Sequence, residues 1–206
     1  METNKTTINK TFTELFGTIL TGNKDDSRKS AREVRKLLHS SSQGGRYEEI
    51  ETIIETAPDE YRKIIEDWRE ENFVIAVSVL YFLHDKENQP DFLFPWLIYL
   101  LQHQNGNIRQ SAVRMIEHEL GPLTFHLRCP EYKHSELRSA QSDSILLNLF
   151  VALNNLLANL WKPEYKKYKY IDSLPACPYK SAEMVFSEME VDCGKEYMKR
   201  LKSQFI

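Results

Sequence analysis

"PWLIYLLQHQNGNIRQSAVRMIEHEL", Pro95 to Leu120, is the stretch whose reading decides the fold. Its first half belongs to the nearly all-apolar run "DFLFPWLIYLLQHQ", a helix that stops at Asn105-Gly106, where small, turn-forming residues end the pattern. Its second half is a partner helix over 107–120, closed by Gly121-Pro122. Two helices this close in sequence form a hairpin. Arg109, one turn into the second helix, is either reactive, a binding group or a structural tie.

Outward from this hairpin the chain repeats itself. Setting residue n against n+36 pairs Tyr61 with Leu97, Ile64 with Leu100 and Ile65 with Leu101, then Ala76 with Ala112, Val77 with Val113, Val79 with Met115 and Leu80 with Ile116. Apolar matches at one offset across two helices predict a repeated hairpin. A pair of short helices cannot shield its own apolar side, so each pair needs a neighbour stacked on it. Ala76 and Ala112 are expected where helices approach too closely for a larger side chain.

The residues Pro95, Leu97, Leu100 and Leu101, followed by Ile108-Arg109, Ala112 and Ile116, resemble a HEAT repeat. The preceding pair is similar to a degenerate copy, and "SRKSAREVRKLL" from Ser27 is similar to the second helix of another. Two features depart from the family: the turn from His103 to Asn107 lacks its frequent aspartate, and Phe73 stands where offset 36 would place a second arginine. The resemblance implies a right-handed α-α superhelix with a concave binding face. It also implies a structural duty for Arg109, whose planar fork can bond carbonyls of adjacent turns.

Elsewhere the pattern is also helical. Helices are expected over 11–20, 27–39 (capped by Asp26 or Ser27), 46–56, 59–69 and 71–84, with Ala57-Pro58 dividing two of them. "SSSQGG" at 40–45 reads as a linker and "KENQPDF" as a turn. "PLTFHLRCPEYKHSELRS" has no clear period. "SDSILLNLFVALNNLLANLW" spaces Ile145, Leu149, Leu153, Leu156 and Leu160 for one buried helix. Asn148, Asn154, Asn155 and Asn159 make it too polar for a bilayer. Short helices at 179–190 and 194–203 complete an all-α chain with an irregular helical C-terminal part.

The 206 residues suit one domain or two small ones. The expectation is a single all-α domain over 1–206: N-terminal helices and linker at 1–45, HEAT-like hairpins at 46–120, a C-terminal helical part at 121–206. With 27 basic and 30 acidic side chains the formal charge is −3, which supplies no global pull toward nucleic acid or anionic membranes. The N-terminal segment lacks the apolar run of a signal peptide, so the protein is expected in the cytoplasm. Cys129, Cys177 and Cys193 fit reduced thiols there, and the glycosylation patterns at Asn4 and Asn9 then carry no meaning.

Few residues suggest chemistry. His118, His126, Cys129 and His134 are potential metal ligands, but only His126-x-x-Cys129 forms a tight pair, and His118-Glu119 lacks the second histidine of H-E-x-x-H; no metal or other cofactor is expected. Glu48, Glu49, Glu51 and Glu55, and Asp67, Glu70 and Glu71, read as solvated helix faces. "EYKKYKY" interleaves Tyr165, Tyr168 and Tyr170 with Lys166, Lys167 and Lys169, the pairing single-stranded nucleic acid favours, though a soluble cover with inward tyrosines has the same look. Arg28, Lys29, Arg32, Arg35 and Lys36 can add phosphate contacts. Phe92, Phe94, Trp96 and Tyr99 are expected in the core.

These readings converge on a non-catalytic interaction module binding a protein partner on its concave face, with Tyr61, Glu70, Arg109 and Arg114 as candidate recognition residues. The alternative is a nucleic-acid protein using Lys166, Lys167 and Lys169, including a repair glycosylase, since some HEAT-like folds resemble alkylpurine glycosylases. A metal-dependent enzyme built on His118, His126 and Cys129 ranks third.

Overall fold

A computed structural model describes residues 10–39, 47–84, 93–132 and 136–205, and every regular element among them is helical. The expected linker at 40–45, the turn at 86–92, Asn4, Asn9, Phe92 and His134 lie outside the described residues. The chain divides into two compact units, Met1–His84 and Asp85–Ile206.

In the first unit α1 (Phe12–Thr21) opens with a capping box: the Glu14 amide donates to Thr11 Oγ1 at 3.1 Å and the Thr11 amide donates to Glu14 Oε2 at 2.9 Å. α2 (Lys24–Leu38) starts earlier than its apolar pattern predicts, because Asn23 Oδ1 accepts from the amides of Asp25 and Asp26, each at 3.0 Å. α3 (Tyr47–Tyr61) and α4 (Asp67–Leu80) follow. α1 pairs with α2 and α3 with α4, and the second helices, α2 and α4, lie against each other. Glu49 of α3 ties the hairpins together by accepting from the Phe12 amide at 3.2 Å and Thr13 Oγ1 at 3.1 Å. Phe16 and Phe73 meet edge-on in the core at 5.8 Å.

Arg69 holds this unit's first turn. It is only 9% exposed, and its Nη1 donates to the carbonyls of Ile19 and Gly22, both at 3.0 Å, where α1 ends. Glu66 neutralises the other edge of the guanidinium with bonds of 3.0 and 3.3 Å. Ser27 Oγ donates to the same Ile19 carbonyl at 3.0 Å. Gly22 is needed for close approach, since a Cβ there would lie 2.7 Å from the Thr18 carbonyl oxygen.

The second unit is built on α6 (Gly106–Leu123), which pairs with α5 (Phe94–Leu100) and buries residues on nearly every side. α7 (Phe125–Arg128), α8 (Glu136–Leu160), α9 (Pro178–Cys193) and α10 (Lys195–Phe205) complete it. α9 lies along α6 and α8, while α10 packs on both α9 and α8. Arg109 repeats the device of Arg69. It is 5% exposed, its Nη1 donates to the carbonyls of His103 at 2.7 Å and Gln104 at 2.8 Å, and its Nε donates to Ser181 Oγ of α9 at 3.2 Å. Ala112, one turn further, and Ala182, next to Ser181, are fully buried, so the α6 and α9 backbones approach closely.

Two punctuation marks read differently in the folded chain. Pro58 does not divide two helices: α3 continues through it to Tyr61, and the break falls at 62–66. Likewise α6 runs through Gly121-Pro122 to Leu123, ending where Thr124 Oγ1 donates to the Leu120 carbonyl at 2.6 Å. Each proline removes one amide donor, and burial of Ala57 and Tyr61, or of Leu120 and Leu123, holds the turn around it. The 36-residue correspondence holds at three of the four second-helix pairs, where Ala76, Val77, Leu80, Ala112, Val113 and Ile116 are all at most 1% exposed; the fourth departs, since Val79 is half-buried and Met115 is fully buried. In the first helices it fails at two pairs: Ile64 and Ile65 lie in the turn after α3, with Ile65 89% exposed, whereas Leu100 and Leu101 are fully buried.

Arg138–Leu160 of α8 is long and apolar enough to span a bilayer by length and composition, with mean hydropathy 1.3. Here its Ile145, Leu146, Leu149, Phe150, Leu153 and Leu156 are buried within the unit, while Asn148, Asn155 and Asn159 are exposed.

Arg69→Ala and Arg109→Ala each leave two turn carbonyls without their charged donor. Each substitution is expected to lower unfolding free energy by about 2–4 kcal/mol, read from urea denaturation. Arg→Lys at either site restores less than half, because an ammonium cannot fork between two carbonyls.

Candidate functional site

The residues singled out in the sequence are distributed over both units. In the first, Tyr61 is 4% exposed at the end of α3, and Glu70 is half-buried on α4 beside Arg69. In the second, Arg109 is consumed by the α5–α6 turn, while Arg114 is exposed on α6. Arg114 and Glu188 both act on Glu117. Burial, then the Glu188 charge, push the Glu117 carboxyl above its ordinary range, and Arg114 pulls it back. The basic face of α2 is realised as drawn, with Arg28, Lys29, Arg32, Arg35 and Lys36 all exposed.

Lys166, Lys167 and Lys169 are exposed on and just after a 3-10 turn, Pro163–Lys167, that follows α8. Each ammonium lies over an aromatic ring: Lys166 over Trp161 at 5.6 Å, Lys167 over Tyr168 at 5.0 Å and Lys169 over Tyr170 at 5.1 Å. Trp161 and Tyr170 remain 43% and 62% exposed. Tyr165 is half-buried, its ring meeting that of Tyr179 at 5.3 Å with a tilt of 47°. Its hydrogen bond with Cys177, then its burial, push its hydroxyl up to about 12. The tract is thus divided: one tyrosine anchors it, and the lysines with two rings form a surface.

Among the described residues no group of three His, Cys, Asp or Glu side chains is placed to hold an ion. His126 has a different partner. Its Nε2 lies 3.0 Å from Asp143 Oδ1 of α8, the oxygen to which Tyr197 Oη of α10 donates at 2.5 Å. Arg200 reaches Asp143 Oδ2 at 3.7 Å and packs over the Tyr197 ring at 4.5 Å. Asp143 therefore joins α7, α8 and α10. Burial, then the bond to Asp143, drive the Tyr197 hydroxyl well above its ordinary pKa. Sequence reasoning missed this knot, because residues 17 and 54 positions apart leave no local spacing to read.

The core aromatics behave as expected at Phe94 and Trp96, each 7% exposed, but Tyr99 is 58% exposed. Of the acidic face on α3, Glu49 is the residue put to use, at the start of α1.

Cys193, beside the Asp143 knot, has its thiol pushed from the ordinary 9.0 up to about 12 by burial, then by the charges of Asp192 and Asp143. A folded-state pKa raised in this way contributes stability that is complete below the unfolded value near 9.0 and is lost as pH climbs toward about 12. Urea midpoints of the native protein are expected to fall between pH 9 and 11, and Cys193→Ala is expected to flatten that fall. Equal slopes in both proteins would remove Cys193 as its source. No family model, curated protein or solved structure matches the chain.

Proposed function

We propose that the chain is a non-catalytic interaction module of HEAT-like construction that binds a protein partner. One observation carries the reading: in each unit the second helices of consecutive hairpins pack together, α2 on α4 and α6 on α9. That is how stacked hairpins shield one another's apolar sides, and such stacks present concave surfaces that bind partners through distributed contacts. Arg69 and Arg109 support it by fixing turn geometry before any partner arrives, which lowers the ordering cost of binding. Of the expected recognition residues, Arg114 and Glu70 keep solvent-facing surface, whereas Tyr61 and Arg109 serve from inside.

The test places a photo-crosslinking amino acid at Arg114, at Glu70 and, as a control, at exposed Asp59. A discrete protein adduct is expected from the first two positions and not from the third. Once purified, that partner should bind the intact chain and bind the Arg114→Glu variant at least tenfold more weakly. Adducts no different from the control, or a partner indifferent to Arg114→Glu, would end the reading.

A second reading, single-stranded nucleic-acid binding, is favoured by the Lys166–Tyr170 surface. Exposed cation–π contacts are worth about 0.5–1 kcal/mol, less than the ~1–3 kcal/mol of stacking a base on an aromatic ring, so bases can displace the lysines toward phosphates. On this reading a low-salt gel shift with single-stranded DNA is abolished by joint Lys166→Gln, Lys167→Gln and Lys169→Gln substitution. Losing three phosphate contacts should also flatten the log–log salt dependence by about 2. An unshifted wild-type band excludes it.

A further inference from the structure

Beside the Asp143 knot, a half-open pocket of about 440 Å³ lies between the end of α6, α7 and the first turns of α8. Its polar walls are His126, Arg128, Arg138, Ser139 and Ser142, and Phe125 supplies an apolar one. Among the described residues no acidic side chain lines it. Guanidinium groups are donors only, and hydroxyls rotate to donate when an anion faces them, so this wall selects negative charge.

The electrostatics around the pocket are arranged in the same sense. Arg128 is held in place: its Nε donates to Thr124 Oγ1 at 3.1 Å and its Nη2 to the Gly121 carbonyl at 2.8 Å, leaving Nη1 without a protein partner among the described residues. Ser139 and Ser142, three residues apart, share a face on the early turns of α8, a 25-residue helix whose positive end favours an anion. Asp143 is the carboxylate that would oppose one. It is turned to the other side, engaged by His126, Tyr197 and Arg200. Phe125 is 41% exposed and braced at 5.9 Å by the Tyr132 ring, a flat surface beside the cationic wall.

We infer that this pocket binds a small phosphate monoester carrying a flat ring. The volume falls within the ~300–1,000 Å³ usual for small-molecule sites and exceeds what a bare phosphate fills. The phosphate occupies the arc of Arg128, Arg138, Ser139 and Ser142, and the ring lies on Phe125. This site is independent of the partner-binding surface proposed above.

Calorimetric titration of the intact chain with phenyl phosphate, inorganic phosphate, phenol and a phosphoserine peptide tests it. One phenyl phosphate per chain is expected, at least tenfold tighter than inorganic phosphate, with no binding of phenol. Ser139→Glu adds a negative charge to the wall at a helix start that tolerates it, and should weaken phenyl phosphate at least tenfold without changing the melting temperature. Arg138→Ala, at an exposed side chain, serves as the second variant with the same expectation. The inference is overturned by no binding of phenyl phosphate up to about 5 mM, by equal affinity for inorganic phosphate, or by folded variants that bind like the native chain. Tighter binding of the phosphopeptide than of phenyl phosphate would also overturn it, since the occupant would then be a protein side chain.

Discussion

A buried guanidinium bonded to the carbonyls of a helix-ending turn is the constraint on which each unit depends. A helix end leaves carbonyls without partners, and a turn packed against other helices cannot give them all to water. Arg69 and Arg109 bring a charge inside to satisfy two carbonyls each, and the charge is tolerable because oxygen acceptors meet its N–H groups. The two are not copies. Arg69 reaches back to the turn between α1 and α2 and carries Glu66 as counter-ion, whereas Arg109 binds its own hairpin's turn and adds Ser181 of α9. In both units the arginine therefore sets hairpin geometry and also fixes the hairpin to a further element.

In the second unit the polar interior has another centre at Asp143. One carboxylate on α8 takes donors from α7 and α10 and so ties three helices together. The same arrangement keeps Asp143 out of the neighbouring pocket, so the described polar side chains that line that space are two arginines, a histidine and two serines. A tie of this kind both fixes structure and shapes the field next to it. Its influence extends to Cys193, whose thiol is held neutral partly by the Asp143 charge.

How much could be read beforehand depended on whether the deciding interaction was local. The apolar stripe of α8 and the burial of Ala76 and Ala112 follow from short-range pattern, and the fold has them where the pattern put them, whereas the cap of α2 falls at Asn23 and not at Asp26 or Ser27. Ala57-Pro58 and Gly121-Pro122 misled because a missing amide is a local penalty that packing of the flanking turn outweighs. The offset of 36 matches burial at Tyr61–Leu97 and at most of the second-helix pairs but fails at Ile64 and Ile65, since an apolar residue has no phase once it lies in a turn. The candidate site was less legible still. His126 stood out in the sequence as a possible ligand, but its true partner lies on another helix.

By itself, the sequence determined an all-helical chain, a hairpin about Asn105-Gly106 and a set of apolar faces that must be covered, because helix periodicity and turn chemistry are written within a few residues. The tertiary structure alone decided which helices cover one another. It also turned Arg109 inward to carbonyls, matched it with an unannounced counterpart at Arg69, and gathered His126, Tyr197 and Arg200 around the Asp143 carboxylate. Those outcomes arise from contacts between residues far apart in the chain, whose energies depend on burial and direction that no local spacing encodes.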